Sequence, residues 1–253
     1  MGTEMLSGHG GRGGCAGQRP AGGPKYPGVT IPSESGRPFG QNTVTQISAR
    51  SFPFAPHVDR QQLNLKFKGD RTYMHGSDIY NVVDRLVRET DIASYISRLA
   101  FRRFARRDCD LLWDKPASNA NLFAQGTASL SDGNRSFWVI ESDRPAAGRY
   151  PFDEDSVVTP AVRDGEQIVL EKRSIYTPIE EIIALTKRLC YELAPDIDGK
   201  WVFGQLNLRC ALPVEYHKLK IERQNEVAGR FNVNDIDIDD NQVGEIRFIV
   251  GVP

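Results

Sequence analysis

The chain has 253 residues, 40% hydrophobic and 26% charged, enough for one large domain or two small ones with a real core. A formal net charge of −1 excludes nucleic-acid binding by bulk electrostatics. No apolar run approaches the roughly 20 residues of a membrane helix, and the first residues lack the apolar core of a secretory signal. Cys15, Cys109, Cys190 and Cys210 lie too far apart to suggest a zinc site or a disulfide framework. A cytoplasmic protein with free thiols, no bound metal and no membrane partner is expected.

Residues 1–58 are rich in Gly and Pro and poor in large apolar side chains. Such a segment buries too little surface to offset its ordering entropy, so it is expected to be largely disordered. His9 and the Arg/Gly composition evoke an RNA-binding tail, but arginines are few and aromatics for base stacking nearly absent. Phe52 and Phe54 suit an irregular arm packed on the domain that follows.

Folded sequence begins near Gln61. Residues 63–68 alternate apolar and polar, the pattern of a half-buried strand. Ser77 or Asp78 is placed to cap a helix whose apolar stripe is Ile79, Val82, Val83 and Leu86. Residues 96–104, 108–114 and 121–130 read as strands. Ser131-Asp-Gly-Asn is a tight hairpin turn, and 135–142 is the returning strand. Residues 143–165 hold Pro145, Pro151, Pro160 and the acidic Asp153-Glu154-Asp155, and read as a linker or long crossover. Then come a strand at 168–172 and a helix at 178–193, with Pro178 in its first turn, where a missing N–H is harmless. Strands at 201–212, 218–226, 229–238 and 243–250 complete the chain. The Asp235, Asp237, Asp239 and Asp240 series lacks the glycine and the terminal glutamate of a calcium loop and reads as strand edge and turn.

The second helix region repeats the first. Residues 71–86 align without a gap on 173–188, an offset of 102, with Arg71 on Arg173, Asp78 on Glu180, Val83 on Leu185 and Arg85 on Lys187. His75 falls on Thr177. The organisation expected is therefore a tail at 1–58, one repeat at 59–142, a linker at 143–165 and a second repeat at 166–253.

Strand, polar turn, helix and a long strand meander, occurring twice from Gln61 onward, resemble the hotdog acyl-thioester proteins; residues 203–251 look like their sheet region. The resemblance implies an α+β double hotdog: two β-α-β-β-β-β repeats forming a continuous antiparallel sheet wrapped round two helices. It also implies action on acyl groups carried on the phosphopantetheine of coenzyme A or an acyl carrier protein, with no other cofactor. Dehydration or hydration of 3-hydroxyacyl thioesters is the leading expectation, with thioester hydrolysis and non-catalytic acyl binding or scaffolding as alternatives. In the dehydratases a His before one helix works with a carboxylate on the helix of the other half. Here that implies His75 as base and Glu180 or Glu181 as acid, although Met74-His75-Gly76-Ser77 stands where those enzymes have His-Phe-Pro-Gly. A neutral imidazole suits proton abstraction near pH 7, and a carboxylate raised by apolar surroundings suits proton return. Gly76 would let the backbone approach a developing enolate. Asp78 is the acid a thioesterase would use to align water. Tyr73 and Thr177 flank the same turns as candidate substrate contacts. Arg102 and Arg103, in a basic run with Arg98, Arg106 and Arg107, would steer an anionic carrier. The plainer readings are a turn histidine, first-turn acids favoured by the helix dipole, an N-cap for Asp78, core-edge tyrosines and a solvated basic face. Homodimerisation is left open.

Overall fold

The computed structural model describes residues 60–227 and 229–251, so the expectations for 1–58 fall outside it. In chain order the described elements of the first half are β1 (Arg60–Gln62), β2 (Phe67–Lys68), α1 (Gly76–Thr90), β3 (Tyr95–Phe101), β4 (Cys109–Leu112), β5 (Leu122–Leu130) and β6 (Gly133–Glu141). Between the halves lie β7 (Arg149–Tyr150), α2 (Asp155–Val158) and β8 (Val162–Asp164). The second half follows as β9 (Gln167–Leu170), α3 (Pro178–Leu193), β10 (Lys200–Leu208), β11 (Leu219–Val227), β12 (Phe231–Ile238) and β13 (Asn241–Gly251).

Eleven strands form one antiparallel sheet in the order β1-β4-β6-β5-β3-β10-β13-β12-β11-β9-β8. Its two halves join where β3 pairs with β10, with the fully buried Leu99 opposite the fully buried Leu206. α1 buries Ile79, Tyr80, Val83 and Val87. α3 buries Ile179, Ile182, Ile183, Leu185 and Leu189 against β9 to β13. The sheet curves round both helices, so burial of these two stripes against a shared sheet is what closes the core. The helices begin at Gly76 and Pro178, the offset of 102 seen in the sequence. The fold is a double hotdog, as the element order implied.

The halves nevertheless differ in one respect. Outward from the central pair the second half runs β10-β13-β12-β11-β9, whereas the first runs β3-β5-β6-β4-β1. The β5–β6 hairpin thus sits the other way round from the β12–β13 hairpin. Each strand that flanks the central pair carries a glycine at its closest approach. A Cβ on Gly126 would meet Arg98 O at 2.4 Å and the Phe137 ring at 2.2 Å; one on Gly244 would meet Asn207 O at 2.3 Å.

Two expectations are corrected. Residues 63–68 do not form one strand: Asn64 adopts φ 54°, a left-handed conformation asparagine tolerates, and β2 leaves the main sheet to pair with β7 in parallel. The N-cap of α1 is His75, not Ser77 or Asp78, and its side chain makes no capping bond. Within the crossover at 143–165, Glu154 pairs with Arg71 at 2.8 Å and with Lys187 at 3.0 Å.

Gly126→Ala is expected to destabilise the chain by about 1–3 kcal/mol, because the added methyl meets backbone that cannot yield without shifting β3. Urea unfolding followed by fluorescence measures this, and an unchanged midpoint would show that the sheet accommodates a side chain there.

Candidate active site between the two repeats

The turn leading into α1 places His75 at the wall of a narrow pocket. Tyr73, Met74 and Gly76 line it from the first repeat, Phe101, Arg103 and Phe123 from behind, and Ile183, Lys187, Trp201 and Phe203 from the second. The pocket is small, about 70 Å³. It shares Arg71, Tyr73, Lys187, Trp201 and Val202 as walls with a broader, more polar basin of about 720 Å³. Gly76 has no room for a side chain, since a Cβ there would lie 2.5 Å from the Phe203 ring.

Beneath His75 lies a polar network centred on Lys68, which is completely buried. Its Nζ donates to Ser77 Oγ at 2.8 Å, to Asp78 Oδ1 at 3.4 Å and, in a short ion pair, to Glu180 Oε1. The Phe152 ring covers it at 4.2 Å. The three donors of the amine are thereby all used. Asp78 and Glu180 are the residues matched by the internal repeat, so equivalent acids on two equivalent helices meet at one lysine. Tyr150 donates to Asp78 Oδ1 at 2.7 Å.

Counting donors and lone pairs assigns the histidine tautomer. Ser77 Oγ has one proton and two lone pairs. It lies 2.8 Å from His75 Nδ1, accepts from Lys68, and lies 3.2 Å from Asp78 Oδ1. All three contacts are hydrogen bonds only if Nδ1–H donates to Ser77 and Ser77 donates to Asp78. That leaves the lone pair on Nε2. Burial holds His75 well below the usual imidazole range, and the charges of Lys68, Arg71 and Lys187 push in the same direction. The ring is therefore held toward its neutral form, and His75 lines the pocket.

The carboxylates are unlike one another. Burial alone would raise Glu180, but hydrogen bonds and charge from Lys68, with the bonds from Thr177, outweigh it and hold the carboxyl below the usual range. Thr177 donates both its N–H, at 2.9 Å, and its hydroxyl, at 2.8 Å, to Glu180 Oε2. Glu180 is thus an ionised anchor, which does not suit the proton-donor role anticipated for it. Glu181 is fully buried on the other side of the helix, where it accepts a short hydrogen bond from the Ser174 N–H. Burial raises its pKa, and it contributes nothing to the wall of the His75 pocket. Burial also raises Asp78, against the opposing pull of Lys68.

The remaining candidates divide. Tyr73, Gly76 and Arg103 line the pocket, and Arg103 is tied to Glu141 at 2.7 Å. Arg102 lies outside it, exposed and bonded to Gln125 at 3.0 Å. Arg106 and Arg107 donate their backbone N–H groups to Glu141, and the Arg107 side chain reaches Asp143 at 3.7 Å. Thr177 borders a different pocket. Lys68, Ser77 and Tyr150 were not anticipated. One signal for Lys68 was present: the offset of 102 puts it on Leu170, which is buried and apolar.

Comparison with solved structures returns matches at low identity. A pyran synthase domain from module nine of the sorangicin pathway matches at 12% identity over 74% of this chain and 91% of its own, with a TM-score of 0.41. A tesB protein from Mycobacterium avium subs paratuberculosis matches at 10% over 73% and 89%, TM-score 0.40. A monomeric dehydratase domain from a trans AT polyketide synthase split module matches at 9% over 76% and 96%, TM-score 0.41. No family profile and no curated protein sequence matches the chain. Among the described residues no helix is long and apolar enough to cross a membrane, and no cluster of His, Cys, Asp and Glu is placed to hold a metal.

Two measurements test the network. Lys68→Met leaves Glu180 and Asp78 buried without their partner and is expected to cost about 3–5 kcal/mol of stability, part of which Lys68→Met combined with Glu180→Gln restores. A single variant as stable as the parent would show that the lysine is not needed. For pH, the unfolded chain protonates His75 near 6.5 while the folded chain does not. Stability therefore falls as pH drops below 6.5, until the folded imidazole also titrates. His75→Gln is expected to flatten that part of the stability profile.

Proposed function

We propose that the chain acts on an acyl thioester whose acyl end lies in the His75 pocket and whose phosphopantetheine arm lies in the adjoining basin, with dehydration of a 3-hydroxyacyl group or the reverse hydration as the reaction. The observation that carries this reading is a neutral imidazole, with its basic Nε2 left free by the Ser77 bond, on the wall of a mainly apolar pocket bordered by both repeats.

In this reading Nε2 takes the α proton of the bound thioester. The enolate oxygen that forms meets the Gly76 N–H, which as the first of α1 has no intrahelical carbonyl to bond and sits at the positive end of the helix dipole. The C–O bond at the β carbon then breaks, and the imidazolium returns its proton to the departing hydroxyl as water. One histidine serves as base and then as acid, so Glu180 is free to remain ionised on Lys68. Asp78, through Ser77, orients the ring and stabilises its charged form in the way that an acid behind a catalytic histidine does. Arg71, Lys187 and Lys200 border the basin and suit the negative charges of coenzyme A or a carrier's prosthetic group. The small inner volume favours acyl groups of a few carbons.

The test is turnover of 3-hydroxybutyryl and crotonyl thioesters of pantetheine, coenzyme A and an acyl carrier protein, read by absorbance of the enoyl thioester and by mass spectrometry. His75→Ala is expected to lower the rate at least about 100-fold, the usual contribution of general base catalysis. Ser77→Ala is expected to shift the pH profile of kcat. Release of free thiol in place of water would make the protein a thioesterase, and binding without either product would make it an acyl-binding protein.

A further inference from the structure

The repeat that places His75 on Thr177 also places a second cavity opposite the first. Subtracting 102 from the α3 residues Ile183 and Lys187 of the His75 pocket gives Asn81 and Arg85; adding 102 to Arg71, Tyr73, His75 and Gly76 gives Arg173, Ile175, Thr177 and Pro178. All six products line a single pocket of about 600 Å³ between α1 and the turn before α3. It is the pseudo-symmetric partner of the His75 pocket, several times larger.

Its chemistry has diverged in a particular way. The position of the imidazole is taken by Thr177, whose hydroxyl donates to Glu180 at 2.8 Å and accepts from Asn81 at 3.1 Å, leaving neither a base nor a free nucleophile. The cations are kept, with Arg173 for Arg71 and Arg85 for Lys187. Arg85 is two-thirds exposed and its one acid partner, Glu89, is 3.8 Å away, so its charge is open to a ligand. The walls have become more apolar. Ile92, Ile175 and Val214 border the pocket at 85%, 91% and 65% exposure, half of the six large hydrophobic side chains exposed among the described residues. Such a concentration on one cavity marks a binding surface. On its inner side Arg88 donates to Asp84 Oδ2 at 2.7 Å, beside the buried Tyr80 hydroxyl.

We propose that this cavity is a second, non-catalytic site that holds an aliphatic chain with an anionic end, the chain against Ile92, Ile175 and Val214 and the anion toward Arg85. The proposal stands whether or not His75 is catalytic.

The probes are decanoate and decanoyl coenzyme A, titrated calorimetrically into the full chain. Either should bind, and binding should survive His75→Ala together with Phe203→Trp, which fills the other pocket. Ile175→Asp alters a side chain that contributes nothing to the core, so it leaves the fold intact; it is expected to weaken binding at least tenfold. Arg85→Glu should weaken it several-fold and remove much of its salt dependence. Preference for decanoate would identify a free acid as the ligand, and preference for the thioester a carried acyl group. Absence of binding by both probes, or binding lost with Phe203→Trp and untouched by Ile175→Asp, would overturn the proposal. So would sedimentation showing a dimer that Ile175→Asp dissociates, since the apolar rim would then be a self-interface.

Discussion

A single buried lysine ties the two repeats together at the point where chemistry is proposed. Lys68 is sealed from the surface, so its position is tolerable only because three oxygens and two aromatic rings converge on it. Two of the oxygens come from α1 and one from α3. Both helices must therefore start within reach of one nitrogen atom, which sets the distance between their N-termini more tightly than apolar packing along their lengths would. Ser77 and Asp78, once committed to Lys68, dictate in turn how His75 can bond.

The same tie makes the molecule asymmetric. A duplication starts with two equal sites, yet the second repeat has Leu170 where the first has Lys68, and Thr177 where the first has His75. One lysine then serves the acids of both helices. The pocket above it is narrow, aromatic and bordered by an imidazole; the pocket on the far side is wide, aliphatic and without one. Where Thr177 stands in place of the imidazole, the cavity is the wider of the two. The reversed placement of the β5–β6 hairpin shows that divergence reached the sheet as well as the sites.

Much of this was legible beforehand, for identifiable reasons. α3 runs over the residues its apolar period marks, because Pro178 and the spacing of its isoleucines leave little alternative. The hairpin at Ser131-Asp-Gly-Asn forms where a positive backbone angle is needed and Gly133 supplies it. Alternation holds for the burial of Leu63 and Leu65 and fails at Lys68, which it would turn to solvent; Lys68 instead lies in β2, paired with β7 outside the main sheet, and is buried. The roles anticipated for Glu180 and Glu181 rested on their nearness to a helix start, which both have; neighbouring positions on a helix point 100° apart, and only Glu180 faces Lys68.

By itself the sequence determined the repeat and the seats of the two helices, because periodicity and equal spacing are local properties that survive in any packing. Only the tertiary structure decided that Glu180 stays ionised, that Nε2 of His75 carries the free lone pair and that a second cavity lies across the pseudo-twofold. Each of those depends on which groups approach within hydrogen-bonding distance after the chain closes, and Lys68 lies 112 residues from Glu180 along it.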